Sequence, residues 1–400
     1  MKTQLSILMV SALLFSACQK IATQSFDVDQ QLAYCAAQAS KTLVLIPPGD
    51  SLLPRNVDQG KTDWRFVPYR DWTSGFFPGI LWYLYEASGE EKWFDEADHY
   101  SRILTPLCAN PAMDHDLGFQ IYSSFGNGYR LKNSLVYKAL LQGTAYELSK
   151  LYNPKVGTIL SWPGMVQKMN WPHNTIIDNM INLELLFWAS KNGGSAALYD
   201  QALNHARVTM KNQFRKDHTV YHVVVYDTLT GKSIKKVTHQ GYADESMWAR
   251  GQAWAIYGYT MCYRETKEKE FLDFAQKVSD VYLQRLPEDC IPYWDFDAPG
   301  IPNAPRDASA AAITASGLLE LSALVADGQK SKYYREMAEK MLIELSSERY
   351  QSRDKNTAFL MHSTGHHPNG TEIDASIIYA DYYYLEALLR LKKLQHKPSN

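Results

Sequence analysis

The sequence predicts an all-α protein, an (α/α)6 barrel in which six inner helices are ringed by six outer ones. Three observations predict it. Apolar residues recur with the 3.6-residue period of helices along most of the chain, and strand-like alternation is scarce. The helical segments are of two kinds, and these alternate. One kind is apolar nearly all round and must be buried; the other is charged along one face and meets water there. The chain also resembles itself. Trp72-Thr73-Ser74-Gly75, Leu81-Trp82 and Glu91-Lys92-Trp93-Phe94 parallel Trp248-Ala249-Arg250-Gly251, Tyr257 and Glu268-Lys269-Glu270-Phe271. Stacked copies of one helical unit produce such similarity.

The elements follow in order. Asp27–Leu45 reads as an outer helix, and Trp72–Ala87, dense in Phe, Leu and Trp, as the first inner one. Lys92–Leu104 is amphipathic and outer; Asp116–Ser124 is inner; Asn133–Leu151 is outer; Ile176–Ser190 is inner; Ala196–Phe214 is outer. One strand-like insertion follows, Val220–Tyr226 with Thr238–Gly241. Met247–Arg264 and Asp307–Leu324 are inner, Glu268–Gln284 and Lys332–Glu348 outer, and Ala375–Leu394 completes the inner set. No low-complexity linker divides residues 26–400, so they read as one domain.

Composition narrows the function. Of 400 residues 46% are hydrophobic and 21% charged, which excludes a disordered or collagen-like chain. A net charge of −2 gives no basic surface for nucleic acid. No apolar run beyond the N-terminus is long enough to span a membrane. The 10 Trp, 26 Tyr and 14 Phe fill a large core and leave rings for stacking on flat or sugar-like ligands.

The N-terminus reads as an address. Met1 and Lys2 precede a mostly apolar run from Leu5 to Phe15, then Ser16-Ala17-Cys18. This is an export signal over residues 1–17. The small pair before Cys18 resembles a bacterial lipobox, in which the Cys becomes the lipidated first residue of the mature chain. Residues 18–25 then form a tether, and the protein is expected in the periplasm, anchored to a membrane. A plain secretory signal is the alternative. The other cysteines, Cys35, Cys108, Cys262 and Cys290, are even in number, which permits disulfides, but show no metal spacing. Cys262 lies in an apolar helix and reads as a buried free thiol.

In such a barrel the starts of the inner helices surround one mouth. The residues there are Arg70-Asp71-Trp72, His115-Asp116, Gly118, Asp178-Asn179, Trp248, Arg250, Arg306-Asp307 and Asp374. Asp307 and Asp374 read as helix caps. Asp178 is different: Ile176-Ile177 before it and Met180-Ile181 after it would desolvate its carboxylate and raise its pKa. With Asp116 it supplies two carboxyls at one mouth, the equipment of general acid/base catalysis. Arg250 heads a helix of small and aromatic residues and needs an anionic partner, internal or bound. Thr238 and Gln240, two apart on an extended segment, would share a face. His222 and His239 lack the carboxylate or Cys spacing of a metal site, and no cofactor is expected.

These residues resemble those of the unsaturated glucuronyl hydrolases, family 88 of the glycoside hydrolases. The matching pieces, in order, are Asp71–Phe76, His115–Phe119, Asp178–Met180, Thr238–Gly241, Trp248–Trp254 and Tyr379–Tyr383. The resemblance covers essentially the whole mature chain. It implies an (α/α)6 barrel and removal of the 4,5-unsaturated uronic acid that polysaccharide lyases leave on oligosaccharides. It further implies Asp178 as general acid/base, Asp116 as its partner, which if ionised would stabilise a cationic transition state and keep the Asp178 pKa high, and Trp72, His222, Gln240, Arg250 and Trp254 as substrate contacts, with Thr238 an addition. Some members carry a Ser-x-x-Ser-x-Lys motif where a sulfate docks. Here only its first Ser, Ser363, is kept, and His366 and Pro368 stand in for the others. This argues against a sulfate site of that kind, although His366 and His367, if protonated, would bind an anion. An unsaturated rhamnogalacturonyl hydrolase acting on pectin fragments, and a non-catalytic glycan-binding surface lipoprotein, are the alternatives.

Overall fold

The computed structural model describes residues 26–396, except 48 and 50. The export signal, Cys18 and the tether lie outside the described residues. Within them an inner ring of helices closes on itself: Phe76–Ser88, Gly118–Gly126, Asn179–Lys191, Ala249–Thr266, Ala308–Leu324 and Ile378–Gln395 each pack on the next, and the last packs on the first. Each carries an outer helix: Glu91–Ile103, Leu135–Ser149, Ala196–Asn212, Lys269–Gln284, Gly328–Leu345 and, against the last, Val28–Leu45. This is the (α/α)6 barrel read from the sequence.

The two kinds of helix behave as their patterns require. Ala249–Thr266 is buried continuously from Ala249 to Cys262, and Ala308–Leu324 from Ala308 to Leu319. Small residues permit this crowding. A Cβ on Gly75 would lie 2.1 Å from the carbonyl oxygen of Gln120, so only glycine lets the first two inner segments approach. Four of the six outer helices start on side-chain caps that bond the first free N–H groups: Asp27, Ser134, Ser195 and Asp327.

Several boundaries shift from the expected ones. The first inner helix begins at Phe76, because Asp71 accepts from both the backbone and the hydroxyl of Thr73 and holds Trp72 in a turn. The second inner helix is a nine-residue π-helix, Gly118–Gly126, continued by the α-helical Asn127–Lys132. Such wide helices are rare and gather at functional sites. The expected lone insertion is one of three small sheets: His173–Ile176, Val223–Tyr226 and Ser233–Val237 form one, Leu52–Val57 pairs with Arg65–Pro68 and Ser376–Ile377 in another, and Tyr152–Asn153 pairs with Thr158–Ile159. Their strands of two to six residues are too short to show as a period.

Toward the C-terminal ends of the inner helices a charge network ties the ring together. Arg264 bridges Glu184, Glu265 and Glu320, and Arg390 bridges Glu320 and Glu386. Cys35, Cys108, Cys262 and Cys290 are all free thiols, and Cys262 is buried as expected.

Candidate active site

The N-terminal ends of the inner helices open into a cavity of about 1100 Å³. Trp72, Asp116, Asp178, Gln240 and Arg250 line it, together with Asp114, Arg55, Glu372 and Tyr379. Trp72 presents an indole beside Tyr379, with ring centroids 5.2 Å apart.

Local structure delivers each carboxyl. Asp178 sits between the strand His173–Ile176 and the helix Asn179–Lys191, at the cap position but making no cap bond. Its carboxyl is therefore free for the cavity. Burial pushes it up to about 7, against the opposing influence of Arg250 and the Trp254 indole. Asp116 stands two residues before the π-helix. Burial, with the charges of Asp114, Asp178 and Asp71, pushes its carboxyl well above the usual range. Asp178 has Arg250 nearby to favour its ionised form; among the described residues no Lys or Arg pairs with Asp116. Desolvation is the largest cause raising Asp178, and a charge on Asp116 is not needed for it.

A neutral imidazole stands behind each carboxyl. His222 accepts at Nδ1 from the backbone N–H groups of His239 (3.1 Å) and Gln240 (3.2 Å), so its hydrogen is on Nε2. That nitrogen lies 3.7 Å from Asp178 Oδ2. Burial, then the nearby His239 and Arg250, holds the His222 pKa well below its usual value. His222 does not line the cavity, so its expected place as a direct substrate contact is corrected to one behind Asp178.

Three other expected contacts also lie elsewhere. Trp254, one turn beyond Arg250, is fully buried edge-on against Phe119 and Tyr383 and offers no face to the cavity. Thr238 does not share the orientation of Gln240, because the strand ends at Val237. Its hydroxyl accepts from Gly241 N in the turn that follows. Ser363 is buried, with its backbone paired to Ala375 in both directions at 2.8 Å.

Arg250 has its anion within the protein. Nη1 donates to Asp307 Oδ2 (2.8 Å) and to Thr364 O, and Nη2 to Gly365 O. Only an edge of the guanidinium is left for the cavity. Asp307 caps its helix as expected, accepting from Ser309 N and Ala310 N. Asp374 does not: it pairs with His362, and the last helix starts four residues later. His366 lines the cavity, but burial, then His239 and Arg250, lowers its pKa to about 4. His367 stacks on Trp294 at 4.1 Å. A protonated His366 is therefore not available to an anion at neutral pH.

Nothing in the sequence marked Arg55 or Glu372. Arg55 bonds Glu372 at 2.7 Å and Asp71 at 2.7 Å, joining a strand to a loop 317 residues away. Nor did it mark Trp162 or Lys168, which also line the cavity.

Comparison with known proteins agrees with this geometry. Glycosyl Hydrolase Family 88 matches residues 54–393. The chain is 43% identical over 357 residues to an unsaturated glucuronyl hydrolase of Formosa agariphila, covering 88% of each. It is 34% identical to an unsaturated chondroitin disaccharide hydrolase of Streptococcus pyogenes serotype M1, over 81% of this chain and 82% of the relative. A solved unsaturated glucuronyl hydrolase specific for heparin superimposes with a TM-score of 0.87 at 42% identity, over 92% of this chain and 98% of that one. A match that spans both rings and the residues at their mouth is decisive: the chain belongs to family 88 of the glycoside hydrolases.

Proposed function

We propose that the protein removes the 4,5-unsaturated uronic acid from the non-reducing end of lyase-generated glycosaminoglycan-type oligosaccharides. One observation carries this reading: Asp178, a buried carboxyl without a cap bond, stands in a sugar-sized cavity with a pKa of about 7. An acid with that pKa can both give and take a proton near neutrality. The relatives named for unsaturated glucuronyl and chondroitin disaccharide substrates support the same class.

The scissile feature is a vinyl ether, C4=C5–O5. Asp178 delivers its proton to C4, and positive charge develops at C5 and the ring oxygen. The resulting Asp178 carboxylate is itself the anion beside that charge. Water adds at C5 and gives its proton to Asp178, which returns to its starting form. The C5 hemiketal opens to a ketone, and the hemiacetal freed at C1 expels the remaining sugar. No covalent bond to the protein is needed, unlike in retaining glycosidases. Asp116, raised by burial and by the neighbouring carboxyls, is the second acid at the mouth and lies on the cavity wall within the same site as Asp178. Trp72 supplies a face for the planar ring.

We also propose that the enzyme is exported and held at a membrane surface through a lipid on Cys18. The run from Leu5 to Cys18 supports this, and among the described residues no helix is long and apolar enough to cross a membrane.

Mixing the protein with unsaturated chondroitin, hyaluronan, heparin and pectin disaccharides tests the function. The ultraviolet absorbance of the conjugated enol carboxylate should vanish with a glycosaminoglycan-type substrate. Loss with the pectin fragment alone would favour the rhamnogalacturonyl reading, and binding without loss the glycan-binding one.

A further inference from the structure

The second carboxyl has a support of its own, built from residues that nothing above has placed in the reaction. At the start of the π-helix the backbone N–H of Phe119 donates to Asn182 Oδ1 at 2.9 Å. That bond settles which way the amide faces. Its Nδ2, a donor only, meets His115 Nδ1 at 3.2 Å. The imidazole must accept there, so its hydrogen is on Nε2. Nε2 in turn lies 3.4 Å from Asp116 Oδ1.

The arrangement is tightly made. His115 and Asn182 are fully buried, so water does not compete for them. A Cβ on Gly118 would come within 2.4 Å of Asn182 Cα and Oδ1, so Asn182 reaches Phe119 only past a glycine. The Asn179 side chain, its nitrogen bonded to Ile159 O and Ser161 Oγ, also faces the imidazole. Burial lowers the His115 pKa to about 3, so the ring is neutral. His115 Nε2 is buried with no closed hydrogen bond, a costly state for an N–H that has nothing to serve.

We propose that Asn182 and His115 form a positioning relay for Asp116: the amide locks the imidazole in its Nε2–H form, and that N–H holds Asp116 Oδ1, leaving Oδ2 to meet the substrate. The relay rests on the role in turnover proposed for Asp116. The charged and titratable groups facing Asp116 are Asp71, Asp114 and Asp178 besides His115, and those facing His115 are His205 and His222. His115 borders the cavity beside Asp116 with no exposed surface and Asn182 lies behind it; both are positioning residues here, since they act through Asp116.

Two measurements test the relay, and the first needs no activity. Nitrogen-15 spectra of the histidine-labelled wild-type protein, with the His115 signal assigned by its loss in His115→Gln, should show a neutral Nε2–H ring that stays neutral between pH 5 and 8. An Nδ1–H ring, or an imidazolium in that range, would overturn the proposal. The second compares two substitutions. His115→Gln puts an amide N–H near the position of Nε2, whereas His115→Met removes the donor. His115→Met should lower kcat roughly 5- to 100-fold, the size of leaving a buried polar group without its partner, with KM little changed. His115→Gln should recover most of that loss. Equal losses in two folded variants would reduce His115 to packing and sink the relay. If neither variant folds, the spectra decide. A wild type inactive on every unsaturated disaccharide would refute the proposed function, while the tautomer measurement would still report on the lock.

Discussion

Arg250 donates to Asp307 Oδ2 at 2.8 Å, and neither side chain has more than 2% of its surface exposed. The pair joins the starts of two neighbouring inner helices and, through Thr364 O and Gly365 O, holds a loop on the cavity wall. Removing one member leaves the other charge buried alone. Arg250→Met should therefore lower stability by about 3–5 kcal/mol. Asp307→Asn keeps an oxygen for the helix cap and removes the charge, so the double variant should regain part of that loss. Denaturant titration of the four proteins measures the coupling. A single-variant cost under about 1 kcal/mol would show that the pair does not hold the mouth together.

Asp178→Asn should fold and bind substrate but turn over about 10²–10⁴-fold more slowly, because only the proton donor is lost. Initial rates on an unsaturated disaccharide, with binding measured separately, check this. A loss of no more than tenfold would remove Asp178 from the role of general acid.

The pH dependence follows from the same group. Asp178 must be protonated to start the reaction, so kcat should fall as pH rises through about 7. Stability has the same sign. The folded pKa is raised above the ordinary carboxylate value of 3.8, so the native state binds the proton more tightly than the unfolded chain does. Its stabilising effect is full below about 4 and is lost as pH rises toward 7. Thermal midpoints of wild type and Asp178→Asn across pH 4–8 should diverge, the variant being the less sensitive. Parallel curves would contradict the burial argument.

Trp72→Ala should raise KM by about 2- to 10-fold, the equivalent of roughly 0.5–1.5 kcal/mol for an aromatic contact, since Trp72 is half-buried on the cavity wall. Steady-state kinetics at fixed pH gives the split between KM and kcat. An unchanged KM would place the sugar ring elsewhere in the cavity.

Cys18→Ser should move the enzyme from the membrane to the soluble fraction, or leave its signal uncut, without changing kcat. A wild-type protein that already fractionates as soluble with a free Cys18 thiol would leave only the export signal.

The sequence by itself determined the barrel. Helical period and the alternation of all-apolar with amphipathic segments are local properties, and they placed the twelve ring helices within a few residues of where they lie. It also determined that Asp116, Asp178 and Arg250 would meet at one mouth, because each stands at or just before the start of an inner helix. What each group does there was decided by tertiary structure alone. Trp254 has the composition of a sugar platform, but one further helical turn carries it into the ring, where Phe119 and Tyr383 enclose it. The cation Arg250 looked available to a substrate until Asp307, 57 residues on, was brought against it. Arg55 found Glu372 across 317 residues. How far burial and neighbouring charges raise each carboxyl was also beyond the sequence. It depends on how much water and which charges surround each one, and those surroundings come from segments that only the closed ring brings together.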